Sequence, residues 1–321
     1  MSQEAAQTIR NQSFAGQSLA GQSLANVHFD NCDFSGCDFA QADVSQCAFA
    51  SCGFARASLG QAELSACAFE GCAFEGASFE EANAAQTSFS QCNFAGASFA
   101  DASLARSSFD ACGLADAVFS KTVLVSCTFA GAVFERAELS SCTFLSCQLP
   151  GTVFQGCLGK LCVFRKSDLT GARFAQSQLP QLMAFASILE GAGFQECLLA
   201  NAGFPGCRLK GAVFANCDLS GLSCRDADLS GARFDGHNLD KAQLQGADLR
   251  FASLAGCSLK MADLSHAELA GANLANASLA LANLHCTDAD SCVTAGCDMT
   301  GARPTDQALL RAERFVPGEA R

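Results

Sequence analysis

The sequence predicts an all-β solenoid, and three observations carry the prediction. A residue that is nearly always large and apolar returns at every fifth position from Phe14 to Met299, without insertion or deletion, making 58 consecutive units. The chain has 27 Phe but no Trp and no Tyr, so a single aromatic shape is demanded again and again. Gly and Pro fall at fixed places in the unit, where a turn needs them. A helical period of about 3.6 would scatter fifth residues around the circumference, and the strand period of about 2 would turn alternate ones to water. Only a chain that bends after each unit buries them all.

The elements follow in order. Residues 1–11 precede the repeat and read as an N-terminal cap. In the first units the position two before each centre holds Gln12, Gln17 and Gln22, polar side chains suited to a terminal coil facing water. The repeat region spans 12–302, and 51 of its 58 centres are Phe, Leu or Val. Two residues before each centre sits a small residue, as in Ala57, Cys67, Ala77 and Cys92. Two after, Gly is frequent, as in Gly16, Gly36, Gly71 and Gly131. A type II turn takes Pro at its second position and a residue tolerating positive φ at its third, which are the slots of Pro150-Gly151 and Pro205-Gly206. Each unit is therefore a short extended piece, with two inward side chains, followed by a turn.

Departures from the pattern support the inward assignment. At Leu182-Met183-Ala184 and Leu222-Ser223-Cys224 the large residue moves to the small slot and the centre becomes small, so volume is conserved as a packed interior requires. Ala84 and Gly159 have no such compensation and are expected to leave soft places or bends. From Leu239 to Leu284 all ten centres are Leu, and the coil is expected to tighten there. The clock stops near Arg303, leaving 303–321 as a C-terminal helix and tail. Pro304-Thr305-Asp306 reads as a helix start. A helix over 306–315 would set Leu309, Leu310 and Phe315 toward the last coil, as an end-cap or a dimer contact.

Stretches such as Ala247-Asp248-Leu249, Ala262-Asp263-Leu264 and Ala272-Asn273-Leu274 resemble the A-(D/N)-L-x-x motif of the pentapeptide-repeat family, and the resemblance covers residues 12–302. It implies a right-handed, four-sided parallel β-helix with four units per coil, so that residues 20 apart stack in columns. It also suggests a homodimer through the C-terminal end, with a plain end-cap as the alternative. Some members of that family are similar to B-form DNA in size and charge, bind DNA gyrase or topoisomerase IV, and confer quinolone resistance. This chain shares their rod and acidity. It is about twice as long in repeats, lacks the projecting loops of the quinolone-resistance type, and carries its acid at one end.

Little in the sequence points to chemistry. Of 21 Cys, nineteen occupy the small inward slot, where Cys acts as a compact hydrophobe. There is no C-x-x-C, and cysteines 20 apart have parallel Cβ vectors that do not converge on a disulfide. Core filler in a reducing compartment is the reading, with Cys286 outside the slot and exposed. His237 falls between Cys217 and Cys257 in one column and reads as a hydrogen-bonded core residue. His28, His266 and His285 sit at outward or turn positions without convergent partners. Gly156-Cys157-Leu158-Gly159-Lys160 ends like a P-loop, but Phe154 and Leu161 stand where Gly and Ser/Thr belong. No catalytic, cofactor or metal site is expected, and no enzyme.

Net charge is −12, with residues 1–120 carrying 13 acidic and 3 basic side chains. That excess argues against direct nucleic-acid binding, which needs clustered Lys and Arg. A candidate acidic face comprises Asp30, Asp43, Glu63, Glu70, Glu75, Glu80, Glu81 and Asp110. A candidate basic patch comprises Lys160, Arg165, Lys166 and Arg173. The acid suits a partner with a basic groove, and equally it suits plain solubility. No signal peptide and no membrane-spanning run is present, so a cytoplasmic scaffold binding a protein partner through its outer faces is expected. A DNA mimic acting on DNA gyrase is the alternative.

Overall fold

The computed structural model describes residues 7–314, a parallel β-solenoid of 17 short strands followed by one helix, α1 (Gln307–Glu313). Every ladder pairs residue n with n+20, and one climbs without a break from Ser23 to Arg303. A 20-residue coil bent every five residues has four sides, referred to below by their first centres: Phe14, Leu19, Leu24 and Ile9. Ile9 stands in phase one unit before Phe14, and its strand Gln7–Arg10 pairs in register with Val27–Asp30. The ladder thus starts ahead of residue 12. Phe315 lies outside the described residues.

The bend has one conformational signature. Every residue two after a centre, from Asn11 to Gly301, has positive φ. Gly accounts for only some of these corners; Asn, Gln, Ser, Asp and Lys fill many, and even Phe251, Met261 and Leu281 adopt φ of 58–60°. At Pro150-Gly151 the turn closes with the Thr152 N–H donating to the Leu149 carbonyl, 3.2 Å.

The centres fill the bore. Phe rings stack at the coil spacing: Phe154 on Phe174 at 4.5 Å, Phe174 on Phe194 at 4.8 Å, Phe49 on Phe69 at 4.7 Å, all nearly parallel. Rings on neighbouring sides meet edge to face, as Phe29 meets Phe34 at 5.1 Å, so both favoured aromatic geometries are used. The exchanged pairs bury as expected: Leu182, Ala184, Leu222 and Cys224 are all inside. Ala84 leaves the ladder straight, since Asn83–Ala85 pairs in register with Ser103–Ala105. Gly159 does disturb the wall. Its φ is 151°, and a Cβ there would fall 2.7 Å from the backbone of Leu139 and Ser140. The backbone here lies too close to the preceding coil to admit any side chain.

Seventeen of the 21 cysteines are buried and all are free thiols. Burial pushes the Cys67 and Cys157 thiols up to about 12. They are more than filler, because most inward thiols donate to the carbonyl of a centre one coil back. Cys37 donates to Phe14 O at 2.7 Å, Cys47 to Leu24 O at 2.8 Å and Cys257 to Phe234 O at 2.8 Å. Thr122 does the same for Phe99 O at 2.6 Å.

Both ends of the bore are open among the described residues. At the start, Ile9, Phe14, Leu19 and Leu24 are half-buried, while Gln12, Gln17 and Gln22 are exposed. At the finish the last centres are small or flexible (Ala289, Thr294, Met299), and a hollow of about 220 Å³ opens onto Leu269, Leu274, Leu279 and Leu284. Helix α1 lies on the flank instead. Asp306 caps it, Oδ1 accepting from the N–H groups of Ala308 and Leu309. The helix has no buried residue: Leu309 is exposed and Leu310 half-buried.

Candidate functional site

With the bore filled by side chains, the accessible surface is the outer wall and the ends. The eight predicted acids do not form one continuous face. Asp30, Glu70 and Asp110 stack along the Ile9 side through Ala50 and Ser90, and Asp43 stacks on Glu63 along the Leu24 side. Glu75 lies on the Phe14 side, Glu80 on the Leu19 side, and Glu81 at the following corner. The scatter has a simple cause: acids a few residues apart in sequence are carried round successive corners. Most are also engaged locally. Arg10 pairs with Asp30 at 3.3 Å, Asn83 donates to Glu63 and Asn93 to Glu75 at 2.7 Å, and Gln61 donates to Glu81 at 2.8 Å.

The four basic residues are all exposed. Lys160 lies at the end of the Leu19 side, and Arg165 and Lys166 at the end of the Leu24 side that follows it. Arg165 lies over the Phe185 ring, 5.8 Å from its centroid, and Arg173 projects from the Phe14 side. Among the described residues none of the four is in an ion pair.

Arg173 borders a groove that sequence reasoning missed. On the Phe14 side the outward residue before each centre runs Val133, Val153, Arg173, Gly193, Val213. Gly193 has no side chain, so the wall dips there into a hollow of about 440 Å³ between Val153 and Val213. Val133 and Val213 are exposed. The signal was available as valines recurring at a spacing of 20 in one column, Val133, Val153 and Val213.

A second assembly corrects the expectation that His266 and His285 lack partners. His285 is buried, only 4% exposed, because α1 packs across it. Its Nε2 lies 3.2 Å from a Glu313 carboxylate oxygen and 3.3 Å from Cys286 Sγ. His266 Nε2 lies 3.4 Å from the other Glu313 oxygen. All four donor atoms fall within 4.8 Å of one another. Cys286 is half-buried rather than exposed. These hydrogen bonds hold the Glu313 carboxyl below its usual range, with His285 the main cause. Part of this was legible, because Cys286 stands 20 residues after His266 and so directly above it. Glu313 comes from beyond the repeat, where no spacing rule reaches. The other buried histidine, His237, is satisfied by backbone: Nδ1 donates to Phe234 O at 2.8 Å and Nε2 accepts from the Cys217 N–H at 3.1 Å.

A five-residue clock, a 20-residue parallel register and a filled bore define a parallel β-solenoid. Family models agree: one described as a pentapeptide repeat region matches residues 62–133 and 187–264, and one for pentapeptide repeats in eight copies matches 14–49, 117–156 and 257–293. The chain belongs to the pentapeptide-repeat family. Similar solved structures include a trypsin-treated variant of QnrB1, a plasmid-mediated fluoroquinolone resistance protein, 23% identical over 64% of this chain and 94% of that one, with a TM-score of 0.44. Another is HetL, involved in heterocyst differentiation regulation in the cyanobacterium Nostoc, 22% identical over 70% and 88%, TM-score 0.32. A pentapeptide repeat protein of the Arabidopsis thaliana thylakoid lumen is 28% identical over 35% and 65%, TM-score 0.16. No curated protein sequence matches the chain. No helix among the described residues is long and apolar enough to cross a membrane.

Proposed function

We propose that this protein is a non-enzymatic scaffold that binds a protein partner through the outside of its coils. The observation that carries the reading is the Val153–Arg173–Gly193–Val213 groove, where an apolar dip and one exposed cation meet on the outer wall. Exposed apolar surface that is contiguous and rimmed by charge marks interaction sites. Its chemistry fits a partner segment offering an apolar side chain beside a carboxylate. The groove lies on ladder-paired backbone, so it is preformed and costs little ordering on binding. A reducing, cytoplasmic setting suits the stacked free thiols. Val213→Asp and Arg173→Glu change only outward side chains, so the chain should fold as before and lose the captured partner. Retention of the same partner by both variants would remove the groove from the function.

The acids of the first coils favour a second reading. They are spread over all four sides, which gives that end of the rod a charge on every face, as a mimic of a nucleic-acid duplex requires. DNA gyrase is the partner to test. Inhibition of its supercoiling by the parent, lost when Glu70, Glu75, Glu80 and Glu81 become Lys, would support the mimic; no effect at micromolar protein would dismiss it.

A further inference from the structure

We infer that His266, Cys286 and Glu313 form a binding site for a zinc-class divalent ion that fastens the terminal helix to the last coils, with His285 as the residue that positions Glu313. The three ligands come from two stacked corners and from α1, so no single element makes the site. In a tetrahedral centre with bonds of about 2.0–2.3 Å, donor atoms stand roughly 3.3–3.8 Å apart. The 3.4 Å between His266 Nε2 and Glu313 already meets that spacing, and the overall spread of 4.8 Å needs only a small contraction. Imidazole, thiolate and carboxylate together suit zinc and its neighbours rather than magnesium or calcium. The Cys286 thiolate and the Glu313 carboxylate would neutralise the two positive charges.

The role of His285 follows from its hydrogen bonds. Its Nδ1 accepts the backbone N–H of Asp306 at 3.0 Å, so in the neutral ring the proton sits on Nε2. That N–H points between Glu313 and Cys286. It can hold the carboxylate in place but has no lone pair to give an ion. The fourth coordination position is therefore left to water or to an outside ligand. The helix supplies a reason for such a site: it buries no residue of its own. Its ties to the coils are polar ones, through Glu313, through the Asp306 N–H and through the Thr305 hydroxyl to the Cys286 N–H. Arg303 lines the hollow beside the cluster and opposes a cation there.

The test uses the full reduced chain after chelator treatment, titrated with Co²⁺ and then Zn²⁺ in a weak buffer. One equivalent of Co²⁺ should raise a thiolate-to-cobalt charge-transfer band and the intense visible bands of a tetrahedral ion. One thiol proton should appear in the buffer per ion bound. Cys286→Ser should abolish the charge-transfer band, while Cys292→Ser and Cys297→Ser leave it unchanged. Loss of a ligand in Glu313→Gln or His266→Ala should weaken binding by at least the ~10–100-fold typical of outer-sphere changes, and His285→Ala by no more than that range. Arg303→Gln should tighten it. Full-length folding of each variant is checked by hydrogen exchange in the Phe coils, which the substitutions do not touch. The proposal fails if the parent binds no cobalt at micromolar concentrations, if the band survives Cys286→Ser, or if Glu313→Gln and His266→Ala bind as tightly as the parent.

Discussion

The coils before residue 215 mix two kinds of corner, and those after it use only one of them. In the first region the sides centred on Phe154, Phe174 and Phe194 are three-residue strands, whereas beyond Val213–Ala215 no side is more than a single bridge. From Leu219 to Met299 every corner closes with a hydrogen bond from the small-slot N–H to the preceding centre's carbonyl, as Ala262 does to Leu259 at 3.0 Å. At the strand corners that N–H goes instead to a side chain one coil on. Cys157 donates to Ser177 Oγ at 3.0 Å, Cys147 to Ser167 Oγ at 3.1 Å, and Cys217 to His237 Nε2 at 3.1 Å. The small slot therefore selects the corner: Ala leaves the N–H to its turn, and Ser, Cys or His can draw it away. Ala137, which follows the strand Val133–Glu135, shows that the choice is a bias rather than a rule.

The largest break of this comparison is in the stacked rings. Phe174 lies between Phe154 and Phe194 at 4.5 and 4.8 Å, so Phe174→Ala opens a cavity that the rigid ladders cannot close, costing about 3–5 kcal/mol. Leu259→Ala in the closed coils should cost less, about 2–4 kcal/mol. Solenoid repeats contact only their neighbours, so hydrogen exchange should rise locally around each substitution. Equal and chain-wide loss of protection in both variants would show that the two regions do not differ in packing.

Next in size is the corner exchange itself. Ser177→Ala strands the buried Cys157 N–H, at about 1–3 kcal/mol, and the Cys157 amide should exchange faster. Cys257→Ala lies at a closed corner, where the N–H keeps its bond to Leu254 O at 3.1 Å. It loses only the thiol's bond to Phe234 O, about 0.5–1.5 kcal/mol. Reversal of that order would refute the account of the corners. The same division predicts reactivity. Below pH 10 alkylation should reach the half-buried Cys217, Cys286, Cys292 and Cys297, while Cys157, held up at about 12 by burial, stays unlabelled.

How much of this the sequence discloses depends on whether a feature repeats. The five-residue clock placed Phe154, Leu259 and the exchanged Leu182 correctly, because burial of a fixed slot leaves a direct trace in residue type. The corner choice was half visible: cysteines were read as apolar filler, and their hydrogen bonding showed only once residues 20 apart were seen to face one another. The acids were misjudged as one face because sequence neighbours are separated by corners. The His266–Cys286–Glu313 assembly was missed for a different reason. Its helix is one short, non-repeating element whose placement rests on polar contacts, and no periodic pattern encodes those.

The smallest effect concerns the corners themselves, where backbone conformation rather than packing sets the energy. Phe251 sits at φ 59° with its side chain 75% exposed, its ring leaning over Gly271. A bulky residue in the left-handed region pays about 1–2 kcal/mol in crowding of its Cβ against the backbone, and so exposed a ring recovers little of that by burial. Asn tolerates the same conformation with less penalty. Phe251→Asn should therefore stabilise the closed coils by roughly 0.5–1 kcal/mol. At the strand corner after Phe174, Gln176 has φ 51° and also meets Glu196 at 3.0 Å. Gln176→Asn shortens the reach to that carboxylate, so it should give no gain. Urea titration followed locally by hydrogen exchange separates the two. A loss of stability in Phe251→Asn would mean that the ring's cover of Gly271 matters more than the strain beneath it.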